Sequence, residues 1–151
     1  MPASAPLVIR ARTAADDAFI ERLSLLAFAE FSRDPGHSTL HMARVGTTWV
    51  AERGRSPVGF AVVRATGTAC AELCAIAVEE HARGLGVGAA LLTWLERALA
   101  RVGTSELTLH TADANASALD LFSKRGFRAE ELLPRFYRGV YDAWTMRKQL
   151  A

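Results

Sequence analysis

The sequence predicts an α+β domain, a mixed and mostly antiparallel sheet with helices on both faces. Three observations lead there. Residues 47–53, 58–65 and 69–78 are β-forming and joined only by Gly54-Arg55-Ser56-Pro57 and Thr66-Gly67-Thr68, so they read as consecutive antiparallel strands. From Ala69 to Thr111 the order is strand, helix, strand, which calls for a parallel, right-handed crossover. Helical segments with one apolar face lie on either side of the strand run.

The elements follow in chain order. Met1 to Pro6 reads as a loose tail, and Leu7 to Arg12 as a first strand. Thr13 is placed to cap a helix, with Asp16 three residues on completing a weak capping box. Phe19, Leu23, Leu26 and Ala27 then recur at helical spacing until Arg33-Asp34-Pro35-Gly36 breaks the pattern. His37 to Val45 admits a short second helix. After the three strands, Gly84, Gly86 and Gly88 open a helix whose expected buried face is Leu92, Leu95, Leu99 and Val102, with Gly103 as its stop. Leu107 to Thr111 reads as a strand and Asn115 to Arg125 as a helix ended by Gly126. Phe127 to Leu133 and Ala143 to Arg147 close the sheet across a polar and aromatic loop.

The 151 residues, half of them hydrophobic and 23% charged, suit one domain with a core of its own, from Leu7 onward. No stretch approaches a membrane span, and Met1 to Val8 has neither the basic start nor the apolar run of a signal peptide. A net charge of +2 implies no nucleic-acid footprint. Cys70 and Cys74 cannot form a disulfide framework and read as buried free thiols, which points to a reducing, cytoplasmic setting. His37 and His41 share a helix face without a third ligand, so no metal site is expected.

Chemistry concentrates in Arg83-Gly84-Leu85-Gly86-Val87-Gly88-Ala89, between a strand and a helix. Glycines let backbone N–H groups approach a ligand, the helix N-terminus adds positive potential, and Arg83 adds a full charge. A phosphate-bearing ligand is the natural partner. A dinucleotide fingerprint, Gly84, Gly86 and Ala89, fits the spacing but not the context: an antiparallel run precedes it, and the acidic Glu106 begins the next strand instead of ending it.

Arg83, Gly86 and Gly88, read as Arg-x-x-Gly-x-Gly, resemble the pyrophosphate loop of the GNAT superfamily of acetyl-CoA-dependent N-acetyltransferases. Trp49 to Glu52 with Val58 to Ala61 resembles the family's second and third strands. Ile76-Ala77-Val78 precedes the loop at the family's distance, and Asn115, Ala118, Leu121, Phe122, Lys124, Gly126 and Phe127 resemble its next motif. The likeness runs from about Val8 to Leu150. It implies a three-layer α/β/α fold with about seven strands, whose two central parallel strands splay apart around acetyl-CoA. Backbone groups of Ile76, Ala77 and Val78 would pair with the pantetheine arm. Backbone N–H groups of Gly84, Leu85, Gly86, Val87, Gly88 and Ala89 would hold the pyrophosphate beside Arg83. Asn115, Ala118, Phe122 and Lys124 would line the cofactor, Lys124 at its phosphoadenosine end. The Val78 N–H would be the oxyanion donor.

Acetyl transfer needs a base to take the amine proton. Glu72, eleven residues before Arg83, is the candidate, since some family members carry a glutamate there. A solvated or Arg-paired strand glutamate is the competing reading, and Glu79 and Glu80 are alternatives. Many relatives place an acidic tyrosine at Phe122; here the residue reads as core packing, leaving Tyr137 or Tyr141 to donate, or the thiolate to leave unassisted. The family's acceptor site draws on residues 28–42 and 134–144, which brings in Phe28, Phe31, Tyr137 and Tyr141, with His110 on the intervening strand. The aromatic stretch 135–143 resembles that of ribosomal-protein alanine N-acetyltransferases. Protein N-termini and small amines both remain open as acceptors, Arg135 and Arg138 favouring those that carry a carboxylate. A homodimer through the closing strands would fit the family. With Phe122 in place of tyrosine, a catalytically silent acetyl-CoA sensor or interaction module is the alternative.

Overall fold

The computed structural model describes residues 5–150. Its elements are β1 (Leu7–Ala11), α1 (Asp17–Phe28), α2 (Pro35–Val45), β2 (Thr47–Arg53), β3 (Ser56–Ala65), β4 (Cys70–Val78), α3 (Val87–Arg101), β5 (Glu106–Ala112), α4 (Ala116–Lys124), β6 (Arg128–Tyr137) and β7 (Tyr141–Gln149). The seven strands form one sheet in the order β1-β2-β3-β4-β5-β7-β6. Every neighbouring pair is antiparallel except β4 and β5. Of the expected loose tail, residues 1–4 lie outside the described residues, while Ala5 is tied down, its carbonyl accepting from Arg53 Nη1 at 2.8 Å.

Two apolar layers flank the sheet. On one face α3 buries Val87, Leu91, Leu92, Leu95 and Leu99 against Ala61, Val63, Leu73, Leu107 and Leu109, with Phe122 of α4 beside them. On the other, Phe19, Ile20 and Leu23 of α1 and Leu40 and Ala43 of α2 cover Val50, Phe60, Val62, Ala75 and Ala77. Val102, expected on the buried face of α3, is 78% exposed. The helix has ended one residue earlier, at Arg101, so Val102 no longer follows its period.

Helix starts obey their capping chemistry. Asp16 Oδ2 accepts from the Thr13 N–H at 2.8 Å, in a short 3-10 turn that leads into α1. Asp16 is buried and held by both arms of the Arg10 guanidinium, each at 2.8 Å. Pro35 is the first residue of α2, so the Arg33–Gly36 segment that breaks α1 also starts the next helix. Asn115 caps α4, its side chain accepting from Ala118 N–H at 3.2 Å. The closing hairpin is longer than expected: β6 runs on to Tyr137 and β7 begins at Tyr141, so most of the supposed loop is strand.

Two irregularities shape the centre. β4 and β5 pair only from Cys70 with Glu106 to Leu73 with Leu109, although both strands continue, to Val78 and Ala112. Between Val62 and Val63 the partner on β4 jumps from Ala75 to Leu73, leaving Cys74 as a bulge. The bulge shifts the phase of the strand: Leu73 faces α3, whereas Ala75 and Ala77 face α1 and α2.

Gly59, opposite Val78, leaves no room for a side chain: a Cβ there would lie 2.9 Å from the Ala77 carbonyl oxygen and 3.2 Å from Val87 Cγ1. Gly59→Ala is expected to destabilise the protein by about 1–3 kcal/mol, read as a lower urea midpoint with unchanged slope.

Candidate active site

Where β4 and β5 part, a cavity of about 320 Å³ opens. Its walls are Leu73 to Ile76 of β4 and Leu109 to Ala112 of β5, closed at one end by Asn115, Ala118 and Phe122 and at the other by Phe28, Phe31, Thr39, Met42 and Tyr137. The backbone lining it follows from register. Glu79 N–H donates to Val58 O at 2.8 Å, which makes Gly59 and Val78 a non-hydrogen-bonded pair. By alternation Phe60 and Ala77 bond each other, and Ile76 and Val78 turn their N–H and C=O groups away from β3, into the gap. The expectation that all three of Ile76, Ala77 and Val78 offer backbone groups there is thus corrected at Ala77, whose groups belong to β3.

At the mouth beyond Val78 the chain makes a 3-10 turn over Glu80–Ala82 and then the glycine loop. Gly84 and Gly86 both take left-handed φ, +78° and +80°, which glycine adopts without penalty. The helix expected to open at Gly84, Gly86 and Gly88 starts among them, at Val87, with Gly86 as its cap. Arg83 folds back so that Nε donates to the Val78 carbonyl at 3.2 Å, an oxygen on the gap side. Glu79 is paired with Arg22 at 2.7 Å, and Lys124 with Asp120 at 3.0 Å on an exposed turn of α4. Phe122 is buried, edge-on to Phe127 at 5.6 Å, and presents carbon alone to the cavity.

The opposite end is aromatic and charged. Phe31 meets Tyr137 at 5.7 Å and Tyr141 at 5.1 Å, and Phe136 packs on Tyr137 and on the His110 ring, each at 4.9 Å. His110 lines the cavity; its Nδ1 is buried with no hydrogen-bond partner among the described residues, and its Nε2 lies 3.8 Å from Glu72 Oε2. Glu72 stands one step behind the wall, its other oxygen accepting from Arg64 Nε at 2.7 Å. The competing reading of Glu72 as an Arg-paired strand glutamate is therefore met in part. Burial, reinforced by the Glu72 charge, pushes the Tyr137 phenol up to about 12. A hydrogen bond to Glu30 raises Tyr141. Cys74 is half-buried and not fully enclosed as expected, and burial pushes its thiol up to about 11.

Arg64 and Phe136 escaped the sequence reading. Arg64 carried a misleading signal: counting outward from the Thr66–Thr68 link sets it opposite Cys70, whereas the link is longer and Arg64 pairs with Glu72. Phe136 carried none, because its direction depends on a bulge.

A sequence profile of the Acetyltransferase (GNAT) family matches residues 13–127. The chain belongs to the GNAT acetyltransferase family. As a GNAT protein it is 36% identical over 76 residues to an N-alpha-acetyltransferase of Sulfurisphaera tokodaii, a match covering 50% of this chain and 46% of that one. It spans about half the length of the curated relatives it matches. Among solved structures, the ribosomal-protein-S18-alanine N-acetyltransferase of Escherichia coli superposes with a TM-score of 0.83 at 23% identity, covering 97% of this chain and 95% of that one. An acetyltransferase of Salmonella typhimurium, solved with its cofactor acetyl-CoA, gives 0.82 at 20% identity over 96% and 94%. The expected fold and family stand: a GNAT sheet of seven strands with its parallel pair parted at the centre. No helix among the described residues is long and apolar enough to cross a membrane.

Proposed function

We propose that this chain is an acetyl-CoA-dependent N-acetyltransferase, a single catalytic domain beginning at Leu7, that acetylates a primary amine by direct attack in a ternary complex. The observation that carries the reading is the cavity itself. It runs through the sheet where β4 and β5 part, with Asn115, Ala118 and Phe122 at one end, Phe31 and Tyr137 at the other, and His110 on its wall. Donor and acceptor can occupy it from opposite sides without displacing each other.

The residues present fit acetyl-CoA. The Ile76 backbone groups can pair with an amide-bearing arm, the Val78 N–H beyond them reaches the thioester end while Arg83 holds the Val78 carbonyl, and the left-handed Gly84 and Gly86 turn N–H groups toward the pyrophosphate. Acetyl-CoA supplies the acetyl group as a thioester. The Val78 N–H, turned into the gap, stabilises negative charge on the carbonyl oxygen as the amine adds. His110, on the cavity wall, takes the amine proton, and Glu72 behind it stabilises the resulting imidazolium while Arg64 fixes the carboxylate. This moves the base from Glu72, as read in the sequence, to a His110–Glu72 pair. Tyr137 lines the same wall, but a phenol near 12 gives its proton to a thiolate only uphill, since thiols lie near ~8.5. Tyr137 therefore serves as a hydrogen-bond donor, and the thiolate leaves as such.

For the acceptor, the relatives' names and the aromatic mouth support a protein N-terminus, with small amines as the competing class.

Acetyl-CoA at about a hundred times its dissociation constant should add ~2.7 kcal/mol. The melting temperature should rise by roughly 5–10 °C, with no response to NAD. Thiol release with N-terminal peptides and small amines then tests catalysis. Binding without turnover on any amine would favour the silent sensor that Phe122 allows, and no thermal shift would refute the cofactor reading.

A further inference from the structure

The hairpin of β6 and β7 departs from regular pairing at Glu130 and, more strongly, near its turn. Leu133 faces Ala143 and Tyr137 faces Tyr141, so Pro134, Arg135 and Phe136 stand opposite Asp142 alone. Inside this bulge Arg135 has a φ of +52°, a left-handed conformation that a residue with a Cβ adopts at an energetic cost. One contact holds it there: the Arg135 N–H donates to Asp142 Oδ1 at 2.9 Å. The Asp142 main chain is itself anchored, its carbonyl accepting from Asp113 N–H at 2.9 Å, while Asp113 Oδ1 accepts from Trp144 Nε1 at 2.7 Å. Asp113 lies between the end of β5 and the Asn115 cap of α4.

The bulge decides what the next two side chains touch. Phe136 lies on His110 and Tyr137 at 4.9 Å each, and Tyr137 reaches Phe31 and the cavity. In a regular strand the neighbours Phe136 and Tyr137 would point to opposite faces of the sheet, whereas here both rings meet beside His110 and the cavity.

We propose that Asp142 is a positioning residue for acetyl transfer: by holding Arg135 in its left-handed turn, it sets Phe136 and Tyr137 against His110 at the acceptor end of the cavity. The functional half of this rests on reading that end as the amine site. Asp142, an acidic residue near the expected acceptor mouth, thus spends one carboxylate oxygen on its own hairpin.

The test uses Asp142→Ala, Asp142→Asn and the double variant Asp142→Ala with Arg135→Gly. In D142A the imidazole protons of His110, assigned by NMR against His110→Gln, should lose the ring-current shift that Phe136 imposes. The KM for an alanine-initiated peptide should rise about tenfold, with the KM for acetyl-CoA unchanged. Asparagine keeps an accepting oxygen, and glycine holds a positive φ without help, so D142N and the double variant should return both readouts to wild-type values. A His110 spectrum unmoved in D142A would overturn the proposal, whatever the wild-type protein acetylates. A shifted spectrum with unchanged peptide KM would overturn the positioning role and leave the acetyltransferase reading standing. A wild-type protein that acetylates no amine would overturn that reading, and the functional half of the proposal with it.

Discussion

His110→Gln should lower kcat for amine acetylation about a hundredfold and leave the acetyl-CoA-induced thermal shift intact. A positioned base contributes on the order of 10²–10⁴ in rate, and glutamine keeps the size of the side chain while losing its basic nitrogen. His110 is the only one of the pair on the cavity wall, and its Nε2 faces Glu72 Oε2 at 3.8 Å. Glu72→Gln should cost less, about tenfold, because it removes the charge behind the imidazole and keeps the imidazole. Turnover is measured by thiol release with acetyl-CoA saturating, and binding separately by thermal shift. A larger loss in E72Q than in H110Q would return the base to Glu72. Equal loss of kcat and of acetyl-CoA binding would mean that the substitutions disturb the sheet and not the chemistry.

Asp16→Ala should destabilise the protein by about 2–3 kcal/mol, a large effect for a polar residue away from the cavity. Asp16 is 3% exposed, takes two hydrogen bonds from Arg10 and one from the Thr13 N–H, and pins β1 to the start of α1. Its removal leaves Arg10 with Glu52 at 3.1 Å and the turn without its cap. The upper range for breaking a buried pair is not reached because Arg10 is part-exposed. The Arg10 guanidinium holds the Asp16 carboxyl below its ordinary value, so the folded state favours the ionised form. The stabilisation is fully present above the unfolded carboxyl value of about 3.9 and is lost as pH falls through the lower folded value. Urea unfolding of wild type and Asp16→Asn should show a stability gap that is widest near neutrality and narrows in acid below about pH 4. A gap constant with pH would remove ionisation from the account.

Much of the frame is readable from residue order. Thr47 to Arg53 is a strand with the expected bounds because short turn-forming links fix its neighbours, and the parallel crossover follows from strand, helix, strand chirality. The glycine loop is legible because few backbone geometries need glycine at Gly84 and Gly86 together. What is not legible lies where the chain leaves regular geometry. Nothing in Leu73-Cys74-Ala75 announces that the strand slips phase at Cys74, so side-chain parity carried from Cys70 misjudges the second half. Arg135 at a positive φ is equally silent, since arginine has no preference for it, and Phe136 consequently escaped notice. Val102 shows the same limit at a helix end: apolar periodicity runs past the point where hydrogen bonding stops.

The early end of the β4–β5 ladder has a further meaning. Two strands of this length could have continued zipping, and instead Ile76 and Val78 present their peptide groups like the exposed margin of a sheet, inside the molecule. Such a margin is a mould for a third strand, and the best filling for it is a thin chain with its own amides at strand-like intervals. On the function proposed above, a pantetheine arm would fill this mould, whereas a simple thioester of the same acyl group would leave the rungs to water. The donor would then be read first as a surrogate piece of β-sheet, and only afterwards as a source of acetyl.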